Sequence, residues 1–105
     1  MHVLVSRAAL ARIRRGGGRL YLWQHDVGSG FATERLGTEP PWERVDFDSF
    51  DVAGVEIRID RSIELPRELR IQARWWPFGG VKAYFDGVRF GWRGIRAAGI
   101  TGVGG

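Results

Sequence analysis

The sequence predicts an α+β domain in which one N-terminal helix packs on a mostly antiparallel β-sheet that could curl toward a barrel. Three observations carry this reading. A single helix-forming run stands near the N-terminus and is stopped by Gly16-Gly17-Gly18. Most of the chain beyond those glycines alternates with the period of two that strands require. Asp86-Gly87 is the residue pair of a type I′ turn, and it is flanked by alternating runs over residues 81–85 and 88–92.

Residues 2–5 form a short strand or arm ahead of the helix. Ser6 is a suitable N-cap, and Val5 and Leu10 are placed as a hydrophobic staple. Residues 8–15 are good helix formers, with Leu10 and Ile13 expected in the core and Arg7, Arg12, Arg14 and Arg15 largely in water. Residues 19–24 put Leu20 and Leu22 on one face and Tyr21 and Trp23 on the other, so both faces of that strand should be covered. Residues 25–30 read as a turn, 31–36 as a returning strand, and 37–41 as its end. Alternation resumes at 45–48, and 51–54 reads as a turn. Val55, Ile57 and Ile59 should then face inward, with Glu56 and Arg58 outward. Residues 69–76 would form another strand, burying Leu69, Ile71, Ala73 and Trp75. In the hairpin register, Phe85 faces Val88, Ala83 faces Phe90 and Val81 faces Trp92, while Tyr84 pairs with Arg89 on the opposite side. The boundaries are those of one domain over residues 1–96 and a flexible glycine-rich tail over 97–105.

Composition narrows the chemistry. A chain of 105 residues that is 44% hydrophobic, with five Trp, six Phe and two Tyr, suffices for one packed core. It has no cysteine, which excludes a disulfide framework, a thiolate metal site and a cysteine nucleophile. The absence of disulfide staples favours a reducing compartment, and no signal-like or membrane-spanning run is evident, so a cytoplasmic protein without membrane partners is expected. The net charge of +4 is uneven. Residues 1–24 hold five arginines and no acid, the middle of the chain is acidic, and the C-terminal third is basic again. All basic residues but Lys82 are arginine, which suits guanidinium recognition of phosphate or carboxylate, although a GC-rich coding sequence is the plainer explanation.

The short motifs have plain structural readings. Gly28-Ser29-Gly30 lacks the helix and third glycine of a dinucleotide loop and reads as a turn. His25 and Asp26 are adjacent in sequence, an arrangement that rarely aims both groups at one atom, and no nucleophile accompanies them. Asp46, Asp48 and Asp51 resemble half of a calcium loop, but Asp51 stands at the position of the required glycine and Ile57 at that of the glutamate. No catalytic residue, metal ligand or cofactor is expected.

One constellation has more content. If the C-terminal strands share a sheet, its outer face presents Arg70, Gln72, Arg74, Trp76, Lys82, Tyr84 and Arg89, with Arg93 at its margin. Basic side chains interleaved with aromatics can anchor a protein partner or a second copy, since Trp, Tyr and Arg dominate binding hot spots. They can also hold single-stranded nucleic acid, with guanidiniums on phosphates and rings on bases. An ordinary solvated sheet face remains the plain alternative.

The order of elements resembles the HesB-like, A-type iron–sulfur carrier family. Val5-Ser6-Arg7-Ala8-Ala9 through Gly18-Arg19-Leu20-Tyr21-Leu22 is similar to that family's helix and first strand. Val27-Gly28-Ser29-Gly30-Phe31 resembles its Gly-Cys-Ser-Gly-Phe turn, and residues 52–60 resemble the next turn and strand of the family. Gly79-Gly80-Val81 through Gly87 is similar to its last strands, so the resemblance spans residues 3 to about 92. It implies a helix on a compact, mostly β domain. It also marks a departure: Gly28 stands where the first cluster ligand would be, and the family's C-terminal Cys-x-Cys pair has no counterpart. Glycine has no donor atom, so the resemblance implies a scaffold kept and a cluster chemistry lost. The resulting expectation is a non-enzymatic cytoplasmic interaction protein, accessory to iron–sulfur assembly, with Trp76, Tyr84, Arg74, Arg89, Arg70 and Lys82 at its partner surface. A nucleic-acid-binding module using the same face is the alternative.

Overall fold

The structure, a computed structural model, describes residues 1–26, 32–74 and 80–91. The turn expected at Gly28 to Phe31, Trp75, Trp76, Trp92, Arg93 and the tail over 97–105 lie outside the described residues.

Ser6 opens the helix α1 (Arg7–Arg15) as expected: its hydroxyl accepts from the Ala9 amide at 3.1 Å, satisfying a donor with no intrahelical partner. Gly16 ends it, and the end is tight. A Cβ on Gly16 would come within 2.7 Å of Thr38, so only glycine lets the helix terminus approach that side chain. The buried helix residues are Ala9 and Ile13, and Leu10 is only partly buried. Arg12 departs from the expectation of a solvated arginine: it is half-buried and donates to the carbonyls of Arg74 and Gly80, the latter at 2.8 Å.

Among the described residues, eight strands accompany the helix. Sheet A runs β1-β6-β7-β8, formed by β1 (His2–Val5), β6 (Glu68–Ala73), β7 (Val81–Phe85) and β8 (Val88–Arg89). Sheet B runs β3-β2-β5-β4, formed by β2 (Arg19–Asp26), β3 (Ala32–Gly37), β4 (Phe47–Val52) and β5 (Val55–Asp60). Each sheet holds one parallel pair, β1 with β6 and β2 with β5, and the remaining pairings are antiparallel. The fold is therefore α+β with mostly antiparallel pairing, built as two mixed sheets rather than a closed barrel among the described residues. The chain passes from β1 in sheet A through α1 to β2 in sheet B, and the helix packs on β6 and β7 of one sheet and β2 and β5 of the other. The core lies at that junction: Ala9, Ile13, Leu20, Leu22, Ile57, Ile59, Leu69, Ile71, Ala83, Phe85 and Phe90 are all buried. Phe85 and Phe90 stack with centroids 4.9 Å apart.

The hairpin forms in the expected register, pairing Tyr84 with Arg89 and Phe85 with Val88, and the Phe90 amide donates to Ala83 at 2.8 Å. Asp86 (φ 51°) and Gly87 (φ 84°) adopt the two left-handed conformations of a type I′ turn. Asp86 also ties the turn to the start of β6 by accepting from the Glu68 amide at 2.8 Å.

Three local expectations are corrected. The turn placed at residue 25 begins later, because His25 and Asp26 continue β2 opposite Thr33 and Ala32. The turn placed at 51–54 is shorter: β4 runs through Val52, and only Ala53 and Gly54 turn. Ala73 is half-buried rather than buried. The first two share a cause. Asp and His read as turn residues in isolation, while the ladder bonds of a neighbouring strand override that local preference.

Candidate functional site

The molecule offers two outer sheet faces. On sheet A, inward Leu69, Ile71, Val81, Ala83 and Phe85 leave the alternate residues outward. The register aligns Leu4, Arg70, Tyr84 and Arg89 in a row across all four strands, with Gln72 and Lys82 paired in the next row. Four of the six expected surface residues thus share one face. Arg74 lies one residue beyond β6, half-buried, with its amide bonded to Gly80 and its carbonyl to Arg12. Trp76 lies outside the described residues. Lys82 Nζ sits 5.9 Å from the Tyr84 ring centroid, a cation–π contact. Arg70 and Glu68 approach at 3.4 Å, an exposed pair that contributes about 0–1 kcal/mol.

Sheet B's outer face is covered instead. Tyr21 and Trp23 point outward from β2 yet are only 5% and 9% exposed. Phe47 lies edge-on to Tyr21 at 5.4 Å, and the connection between β3 and β4 crosses Trp23. One side chain pins that connection: Glu43 accepts from the Trp23 indole at 2.8 Å and pairs with His25 Nδ1. The structure gives His25 a charged partner eighteen residues away in sequence, Glu43. Next to this pin, Trp42 stands 94% exposed over an open cleft of about 690 Å³ lined by Trp23, His25, Arg35, Glu39 and Pro41 among others. Sequence reasoning missed both Trp42 and Glu43. The available signal was an aromatic placed directly after Pro40-Pro41 in a polar stretch.

The other polar groups of sheet B are structural. Asp60 is buried and accepts from the Gln24 and Ser62 amides and from the Ser62 hydroxyl. The Asp48 carboxylate pairs with Arg61 at 3.0 Å, so it is engaged in an ion pair and not in a calcium loop. Glu56 sits below the usual glutamate range, because Arg58 hydrogen-bonds it; desolvation opposes the shift, and the charges of Arg58 and Arg19 reinforce it.

A carboxylate-oriented imidazole is a component of acid–base sites. Here, however, the second Glu43 oxygen is occupied by an indole, and no side-chain hydroxyl bonds to the His25 ring among the described residues. Among those residues no group of three His, Cys, Asp or Glu could hold a metal ion, and no helix is long and apolar enough to cross a membrane.

No protein-family model and no curated protein sequence matches this chain. Among solved structures, the chain is similar to the crystal structure of IscA with the [2Fe-2S] cluster, at 20% identity and a TM-score of 0.53. The match covers 79% of this chain and 84% of that one. At that identity the likeness concerns the fold. The cluster named in that structure is a poor fit to this chain: iron–sulfur clusters are held mainly by cysteine thiolates, and none of its 105 residues is cysteine. The chain therefore shares an IscA-like fold while lacking the thiolates that such a cluster uses.

Proposed function

We propose that this protein is a non-enzymatic, cytoplasmic interaction protein on an IscA-like scaffold, accessory to iron–sulfur assembly but without a cluster of its own. The carrying observation is the row Leu4, Arg70, Tyr84 and Arg89 on the outer face of sheet A, next to Lys82, in a chain with no thiolate. Such a face combines two cationic forks with an aromatic ring whose position is set by the sheet, the composition that protein interfaces favour. The fold likeness supports the assembly context, and the absence of cysteine supports a role in docking rather than in cluster transfer.

The Lys82–Tyr84 contact favours a second reading, in which the same face holds single-stranded nucleic acid with the ring as a stacking platform. One experiment separates the two. The tagged full chain is captured from its native lysate with and without nuclease, beside the double variant Arg70→Glu, Tyr84→Ala. The proposal expects a nuclease-resistant protein partner that the variant loses. Nuclease-sensitive nucleic acid that the variant loses, with binding that falls steeply as salt rises, would assign the face to nucleic acid. Capture of the same material by the variant would reject both readings of this face.

A further inference from the structure

We infer that the outer face of sheet B is a self-association surface, on which two copies of this chain dock with Trp42 of each in the cleft of the other. Trp42 is the outlier of the described surface: an indole 94% exposed, while Tyr21 and Trp23 on the same face are buried. Left in water it exposes a large apolar side chain, and buried against a partner it supplies the kind of anchor that dominates binding.

The backbone that carries it is restrained before any partner arrives. Pro40 and Pro41 restrict the backbone on one side. Glu43, the next residue, is held by Trp23 and His25, and Thr38 at the base of the segment abuts the end of α1 at Gly16. Ordering costs on binding are correspondingly small.

The cleft beside Trp42, at about 690 Å³, is large enough to admit an indole and is walled by Trp23, Pro40 and Pro41. A knob beside a hole on one face is what a two-fold axis requires, because the same patch must complement itself. Charge agrees with that arrangement. Arg35 and Glu39 both line the cleft, carry opposite charges, and have no ion pair among the described residues. Docking two copies cleft to cleft allows Arg35 to pair with the partner subunit's Glu39, twice per dimer. This surface lies on sheet B, away from the sheet A row, so its test stands apart from that of the proposed function.

Sedimentation equilibrium of the full chain tests it, with far-ultraviolet circular dichroism confirming that each variant is folded. The wild type should show a monomer–dimer equilibrium, and Trp42→Ala should raise its dissociation constant by about 30-fold or more. Arg35→Glu or Glu39→Arg alone should weaken the dimer by about threefold or more, and the two together should recover it. A wild type that stays monomeric, or a dimer that survives Trp42→Ala unchanged, overturns the inference. Overturned too is the case in which a monomer loses some other captured protein through Trp42→Ala, since that assigns the anchor to a different partner.

Discussion

Sheet A turns Arg70, Lys82, Tyr84 and Arg89 outward and leaves them exposed or half-exposed, whereas sheet B turns Tyr21 and Trp23 outward and then covers them. Both faces are built from the same alternation along a strand. The difference comes from chain order. The segment after β3 is long enough to fold back across sheet B, and Glu43 pins it there through Trp23 and His25. On sheet A the connection between β7 and β8 is the two-residue Asp86-Gly87 turn, which has no residues to spare for covering anything. An alternating strand therefore specifies which residues point outward, and the connections decide whether those residues meet water, a partner or the protein itself.

Substitutions that treat the two faces alike should give unlike results. The greatest loss is expected from Trp23→Ala, which removes a buried indole under a pinned segment and should lower unfolding free energy by about 3–5 kcal/mol in urea titration. The matching change on sheet A, Tyr84→Ala, removes a half-exposed ring and should cost about 0.5 kcal/mol or less while abolishing partner capture. If Tyr84→Ala were as costly as Trp23→Ala, the contrast between a covered and an open face would fail.

The pin itself should give a more moderate response. Glu43→Ala leaves the Trp23 indole and the His25 imidazole without their acceptor and should cost about 1–3 kcal/mol. It should also shift Trp23 fluorescence toward the red as water reaches the ring, whereas Trp42, already exposed, contributes no such shift in the monomer. Smaller again is an acid effect at the far end of sheet B. The folded state holds Glu56 below the usual glutamate range through Arg58, so its contribution is present above the unfolded value and is lost as pH falls through the folded one. Glu56→Gln should accordingly flatten stability against pH on the acid side of about 4.5 and change little at neutral pH. A variant as acid-sensitive as the wild type would detach that ion pair from stability.

Much of this architecture is legible in the sequence wherever the information is local. Ser6 and Gly16 bracket the helix, Asp86-Gly87 sets the hairpin register, and the Leu20/Leu22 and Tyr21/Trp23 alternation states that both faces of β2 are covered. The parallel pairings of β1 with β6 and β2 with β5 join distant segments, and no local residue pattern encodes which distant strand will be the neighbour. The sheet A surface is readable because alternation and a hairpin suffice to define it. The sheet B site is not, because Glu43 reaches Trp23 and His25 from twenty and eighteen residues away through a connection whose path only packing determines. The extension of β2 through His25 is hidden for a related reason: a histidine next to an aspartate reads as a turn until a neighbouring strand claims both backbones.

The proposed function separates an IscA-like fold from cluster chemistry. The decisive trial is anaerobic incubation of the full chain with ferrous iron and sulfide, followed by desalting and assay of bound iron, bound sulfide and visible charge-transfer absorption. The expected product is a folded protein that retains neither iron nor sulfide and shows no such absorption. Stoichiometric iron and sulfide on the desalted protein would contradict that separation, and would require ligands other than thiolates.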